Sequence, residues 1–205
     1  MKNYFLLISL ILFPGLIVSQ QTINATIMHD GLQREYILYV PSSYSASTSV
    51  PLVLNFHGYT SNANDQMFYG DFRPIADSVG FIIAHPQGTK DNSNINHWNV
   101  GWGSSTVDDV GFTSNLIDSI VASYNIDINR VFSTGMSNGG FMSHQLACEL
   151  SNKIAAIASV TGSMTLGKLL SCQPQHSTPV MQIHGTADGV VPYNGANFSL
   201  HIDSV

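Results

Sequence analysis

The sequence predicts an α/β fold: a mostly parallel, doubly wound sheet with helices on both faces. Three observations carry that expectation. Four short, nearly continuous apolar runs, PLVLNF (51–56), FIIA (81–84), AAIASV (155–160) and PVMQI (179–183), punctuate the chain. Runs of this kind mark strands buried on both faces, as parallel sheets require. Segments compatible with helix separate several of them, and alternation of strand and helix implies crossover connections. Finally, Gly135-Met136-Ser137-Asn138-Gly139 lies between an incoming β-branched and aromatic run and an outgoing helix-compatible segment.

Residues 1–19, MKNYFLLISLILFPGLIVS, pair one positive charge, Lys2, with an apolar run and a small residue, Ser19. That is the build of a secretory signal peptide. The apolar stretch, about 15 residues broken by Pro14-Gly15, is short for the roughly 20 that span a bilayer. Cleavage near Ser19 is expected, leaving the mature chain in the periplasm or outside the cell, with no further membrane segment. Residues 22–28 and 33–40 alternate around His29-Asp30-Gly31 and read as an antiparallel hairpin. A Ser-rich loop (42–49) leads into the 51–56 strand, which ends at His57-Gly58-Tyr59.

Residues 62–72 are polar and read as a loop before a helix over about 72–78, followed by the 81–84 strand. The stretch 86–107 is long, rich in Asn, Gly and Ser, and holds both tryptophans, Trp98 and Trp102. A polar loop that contains every tryptophan of a chain reads as functional, the alternative being packing of the loop itself. Asp108-Asp109 open a helix with Val110, Ile117, Ile120 and Val121 at helical spacing, acidic residues suiting a first turn. Residues 130–134 form the strand before Ser137, and 140–150 the helix after it. Strands over 155–160 and 179–183 follow, the latter ending at His184-Gly185.

The chain has 205 residues, 44% hydrophobic and only 10% charged, which suits a compact α/β domain and argues against disorder. A formal net charge of −6 and the lack of any Lys/Arg cluster exclude nucleic acid as a partner class. Two cysteines, Cys148 and Cys172, match no metal-ligand spacing. An oxidising compartment permits a disulfide between them; two buried thiols are the alternative.

Gly-x-Ser-x-Gly between strand and helix is the setting of a nucleophile elbow. The turn is so tight that side chains two positions either side of the serine would collide with neighbouring elements. It exposes a hydroxyl beside a helix N-terminus, where a developing oxyanion is stabilised. The plainer alternative is a serine that only caps the helix. Taken as a nucleophile, Ser137 needs an acid after it in the chain, and Asp188, just past the 179–183 strand, fits that order. The oxyanion hole is expected from the Asn138 N–H and the Tyr59 N–H, with Gly58 as the alternate donor. His57 reads as support for that loop. Trp98 and Trp102 are the candidate substrate-lining residues. The base is the difficulty: His201 alone follows Asp188, and too few residues separate them for a strand and a turn.

PLVLNFHGYT (51–60), WNVGW (98–102), DDVGF (108–112), RVFSTGMSNGGFM (130–142), LACE (146–149) and IHGTADGVVPY (183–193) together resemble the secreted polyhydroxybutyrate depolymerase and feruloyl-esterase group of α/β-hydrolases. The resemblance covers about residue 24 onward. It implies an α/β-hydrolase catalytic domain over 20–205 that lacks the last strand and helix. The implied activity is hydrolysis of carboxylic esters, either polyester oligomers or hydroxycinnamoyl esters on plant polysaccharide, with no metal or organic cofactor. Ser137 and Asp188 match the nucleophile and acid of that family. Its members carry the catalytic histidine in a later loop, so the sequence is expected to be a fragment of a longer protein, the alternative being an inactive relative.

Overall fold

A computed structural model describes residues 20–103 and 105–205. The expected signal peptide, residues 1–19, lies outside the described residues.

The first two strands, β1 (Gln21–His29) and β2 (Leu32–Val40), form the predicted hairpin. Its two-residue turn places Asp30 at φ 48° and Gly31 at φ 75°. Such a turn matches the twist of the flanking strands, and aspartate and glycine tolerate it. Next come β3 (Val50–Phe56), α1 (Ala63–Tyr69), α2 (Arg73–Val79) and β4 (Ile82–Pro86). The loop expected over 62–72 is therefore largely helix. Asn62 caps it by accepting the Asp65 N–H at 2.9 Å. Ala63 and Met67, one turn apart, pack against Ile37. Two small apolar contacts in a polar segment leave little periodic signal to read.

Within the long 86–107 stretch, β5 (Thr89–Lys90) and β6 (Asn96–His97) pair as a small separate hairpin. Then follow α3 (Asp109–Ser123), β7 (Ile126–Met136), α4 (Asn138–Glu149), β8 (Ala156–Val160), α5 (Leu166–Ser171) and β9 (Val180–Ile183). The seven-stranded sheet runs β1-β2-β4-β3-β7-β8-β9. Only β1–β2 and β2–β4 are antiparallel; the other neighbours are parallel, as the apolar runs predicted.

Helices α3 and α4 cover one face, where Leu52, Leu54 and Phe56 of β3 meet Phe112, Leu116 and Phe141. Helices α1 and α2 cover the other, α2 seating Ala76 against Tyr39 and Ile83. At the far edge, β9 leaves Val180, Met181 and Ile183 exposed. Among the described residues no helix is long and apolar enough to cross a membrane. Cys148 and Cys172 are bonded, with Cα atoms 5.2 Å apart, which decides between disulfide and free thiols.

Candidate active site

β7 ends at Met136 and α4 begins at Asn138, so a single residue, Ser137, makes the turn between them. Its backbone sits at φ 55°, ψ −120°, a region that side chains other than glycine rarely enter. The Ser137 N–H donates to the Val160 carbonyl at 2.8 Å, tying the turn to β8. The flanking glycines are sterically required. A Cβ at Gly135 would lie 2.6 Å from the Gly139 carbonyl and 2.8 Å from the Phe56 oxygen. One at Gly139 would collide with the Phe56 oxygen and approach the His57 oxygen to 2.7 Å. Ser137 is half-buried, and among the described residues its hydroxyl has no hydrogen-bond partner.

The loop after β3 passes directly beside it. A Cβ on Gly58 would stand 3.6 Å from that of Ser137. The next residue, Tyr59, has a backbone N–H without a hydrogen-bond partner among the described residues. Asn138, as first residue of α4, contributes another backbone donor that the helix itself cannot satisfy. Both candidate oxyanion donors thus flank the serine, one from each neighbouring segment.

What holds them is a buried polar scaffold. His57 is fully buried; its Nδ1–H donates to the Gly58 carbonyl at 2.8 Å and its Nε2 accepts the Gly88 N–H at 3.0 Å. These partners assign the neutral tautomer. Burial lowers its pKa to about 4, so the ring stays uncharged near neutrality. It supports the loop, as the sequence suggested.

Trp98 donates its indole N–H to the His57 carbonyl at 2.9 Å and packs edge-on against Phe56 with ring centroids 5.0 Å apart. It is completely buried, which corrects its reading as a substrate-lining residue. An indole with an apolar body and one donor fits a core position that offers one acceptor, and the local sequence does not reveal that acceptor.

The side chain of Asn138 binds the Trp98 backbone from both sides, an arrangement the sequence did not announce. Asp109 is buried too. Its carboxylate pairs with Arg34 at 2.7 Å and accepts the Asn99 N–H at 2.8 Å, while Asp108 alone caps α3. Both aspartates stand where the sequence expected them, Asp108 as the cap and Asp109 in the first turn of α3, and the Asp109 carboxylate also turns inward. Two adjacent acids at a helix start do not by themselves reveal which one turns inward.

Trp102 behaves differently. Its ring lies against Phe141 of α4, 4.7 Å between centroids, and against Phe198 at 5.8 Å. It borders a cleft of about 420 Å³ together with Tyr59, Asp91, His97 and Thr106. On one wall the Tyr59 hydroxyl donates to Asp91 Oδ2 at 2.7 Å, a bond that raises the phenol's pKa.

Asp188 lies in the turn after β9. Its Oδ1 accepts the Val190 N–H at 2.8 Å and the Val191 N–H at 3.0 Å. The Val190 bond is the largest cause holding its carboxyl below the usual carboxylate range. Oδ2 is left facing His184 Nε2 at 3.7 Å, too long for a hydrogen bond. That nitrogen donates instead to the Val191 carbonyl at 2.7 Å, so His184 braces the turn. His201 accepts the Asp203 N–H at 3.2 Å and stacks edge-on against Tyr193. Among the described residues no imidazole hydrogen-bonds to Ser137.

A family profile described as "Esterase PHB depolymerase" matches residues 34–196. A bifunctional acetylxylan esterase/xylanase of Neocallimastix patriciarum is 31% identical over 84% of this chain and 24% of its own length. Feruloyl esterase B of Piromyces equi is 32% identical over 79% of this chain and 30% of its own length. Feruloyl esterase D of Neurospora crassa is 30% identical, over 83% and 58% respectively. The chain thus spans well under two thirds of these relatives. Among solved structures, a thermostable esterase superposes with TM-score 0.67 at 21% identity, covering 88% of this chain and 50% of that one. An acetyl xylan esterase from Aspergillus awamori gives 0.59 at 19%, covering 76% and 57%.

Proposed function

The chain belongs to the esterase PHB depolymerase family of α/β-hydrolases, and from that premise we propose that it acts as a serine carboxylic-ester hydrolase through an acyl-enzyme. The observation that carries the reading is the strained Ser137 turn with an N–H donor on either side of it. In this scheme the Ser137 hydroxyl oxygen attacks the ester carbonyl carbon while a histidine takes its proton. The Tyr59 and Asn138 N–H groups hold the tetrahedral oxyanion, which is worth several kcal/mol in related chemistry, on the order of 3 per donor. Collapse breaks the bond to the alcohol oxygen, which leaves with the proton from the imidazolium. Water, deprotonated by the same histidine, then cleaves the acyl-serine and regenerates the hydroxyl.

Asp188 is the acid of the scheme. Two backbone donors fix one carboxylate oxygen and keep the group ionised, leaving Oδ2 to orient an imidazole. The substrates we propose are acyl groups esterified to plant polysaccharide, feruloyl or acetyl. The names of the similar fungal enzymes support this class, as does a cleft with an aromatic side, Trp102, and a polar side, the Tyr59–Asp91 pair. Secretion is part of the proposal, supported by the disulfide and by the leader-like composition of residues 1–19.

A fluorophosphonate probe and a panel of methyl ferulate, acetylated xylan and hydroxybutyrate oligomers test the reading. Covalent labelling that disappears in Ser137→Ala, with turnover of the feruloyl or acetyl ester, is the expected result. Labelling with turnover of the polyester alone would move the substrate class. No labelling of the whole protein would leave a hydrolase fold that binds without catalysing.

A further inference from the structure

We infer that His29, Asp30 and Asp108 form a binding site for a divalent cation of the zinc type, placed where the β1–β2 turn meets the start of α3. The three residues offer one nitrogen and two carboxylate oxygens, all within 4.8 Å of one another. His29 Nε2 stands 3.6 Å from Asp30 Oδ2 and 3.4 Å from Asp108 Oδ2. Those separations are too long for hydrogen bonds. They match the spacing, about 3.4 Å, of ligand atoms that sit roughly 2.0–2.1 Å from one tetrahedral zinc ion.

Two further observations point to a ligand. The His29 side chain is only 10% exposed, and its Nε2 has no hydrogen-bond partner among the described residues. A nine-tenths-buried ring nitrogen that faces two carboxylate oxygens at 3.4 and 3.6 Å and hydrogen-bonds to neither presents three ligand atoms to one point. The space is also kept open by a glycine. A Cβ at Gly111 would collide with Asp108 Oδ2 and come within 2.9 Å of His29 Cε1.

The outer support is present as well. The Asn115 amide lies 2.8 Å from His29 Nδ1. Amide oxygen and nitrogen are interchangeable assignments. With the oxygen turned to Nδ1, the ring proton sits there and the Nε2 lone pair faces the two acids, the arrangement that orients metal-bound imidazoles. Asp108 can serve both purposes, because its Oδ1 caps α3 through the Gly111 N–H while Oδ2 stays free. Asp30 and Asp108 are 69% and 50% exposed, so water can enter and complete the coordination shell. One imidazole with two carboxylates suits zinc better than calcium or magnesium, which favour all-oxygen sets. A bound ion would staple the hairpin turn to the helix whose next residue, Asp109, anchors the loop at Asn99.

The test needs no activity. Untagged chain, stripped with chelator, is titrated calorimetrically with zinc chloride and melted with and without it. The expected outcome is one equivalent bound at micromolar affinity or better, a melting temperature raised by several degrees, and at least a tenfold loss of affinity in His29→Gln. Asp30→Asn, whose residue tolerates the turn's positive φ, and Asp108→Asn, which keeps the cap, should each weaken binding while the metal-free melt stays near wild type. His176→Gln, an exposed histidine elsewhere, should leave affinity unchanged. Absence of saturable binding at millimolar zinc, or binding that survives His29→Gln and Asp30→Asn, would overturn the assignment.

Discussion

The Asn138 side chain grips the backbone of Trp98 at both ends: Oδ1 accepts the Trp98 N–H at 2.6 Å and Nδ2 donates to its carbonyl at 3.1 Å. The residue after the proposed nucleophile therefore offers its backbone to the oxyanion and its side chain to the loop beneath. Asn138→Ala keeps the backbone donor but strands two buried polar groups, each costing about 1–3 kcal/mol. Stability in urea should fall by about 2–6 kcal/mol. Ester turnover should fall with it, since Trp98 in turn holds the His57 carbonyl. Asn138→Asp, which keeps the acceptor but sets a buried carboxylate against the Trp98 carbonyl, should be destabilised at least as much as Asn138→Ala.

Ser137 stores strain that its substitution can release. At φ 55° and ψ −120° the side chain occupies a region that costs on the order of 1–3 kcal/mol. Glycine enters it freely but gives back about 0.4–1 kcal/mol through the entropy of the unfolded chain. Ser137→Gly should therefore be more stable than Ser137→Ala by about 1 kcal/mol in chemical denaturation, while neither labels with a fluorophosphonate. Equal stabilities would mean the turn is relaxed.

The sheet was legible because strands buried on both faces leave almost no polar residue in 51–56, 81–84 or 155–160. The elbow was legible because its glycines are a steric demand, met by any chain that builds it. Helix α1 was not, since Ala63, Gln66 and Met67 are a weak stripe whose burial depends on Ile37. Trp98 misled for a similar reason. Its partners Asn138 and His57 lie some forty positions away on either side, and a local reading sees only an aromatic residue in a polar loop. The Arg34–Asp109 pair, separated by 75 positions, is beyond any periodicity argument.

Two buried histidines should make the fold acid-sensitive in a defined window. Burial lowers His57 and His85 from the ordinary 6.5 to about 4. The unfolded chain therefore takes up protons below pH 6.5 that the folded chain refuses until about pH 4. Their contribution is fully present above 6.5, is lost as pH falls toward 4, and stops changing below that. Both ring nitrogens of His85 lack partners among the described residues, so an apolar replacement leaves nothing unpaired. His85→Leu should flatten this slope and be more stable than wild type at pH 5 relative to pH 7, read from urea midpoints at the two pH values.

The disulfide should matter to stability and leave the proposed chemistry alone. Cys148 and Cys172 close a loop with a sequence separation of 24, for which the chain-entropy treatment gives about 3–4 kcal/mol. The bond ties the end of α4 to the residue that caps α5. Ser137 sits at the opposite end of α4, about 16 Å away along the helix axis at its usual rise. The Cys148→Ala/Cys172→Ala double variant should thus lose stability of that order and melt several degrees lower. At temperatures where it remains folded, it should label at Ser137 as fast as wild type. Dithiothreitol should reproduce the shift in wild type and leave the variant unaffected; a matching loss of labelling rate would instead show that the strap positions the elbow through α4.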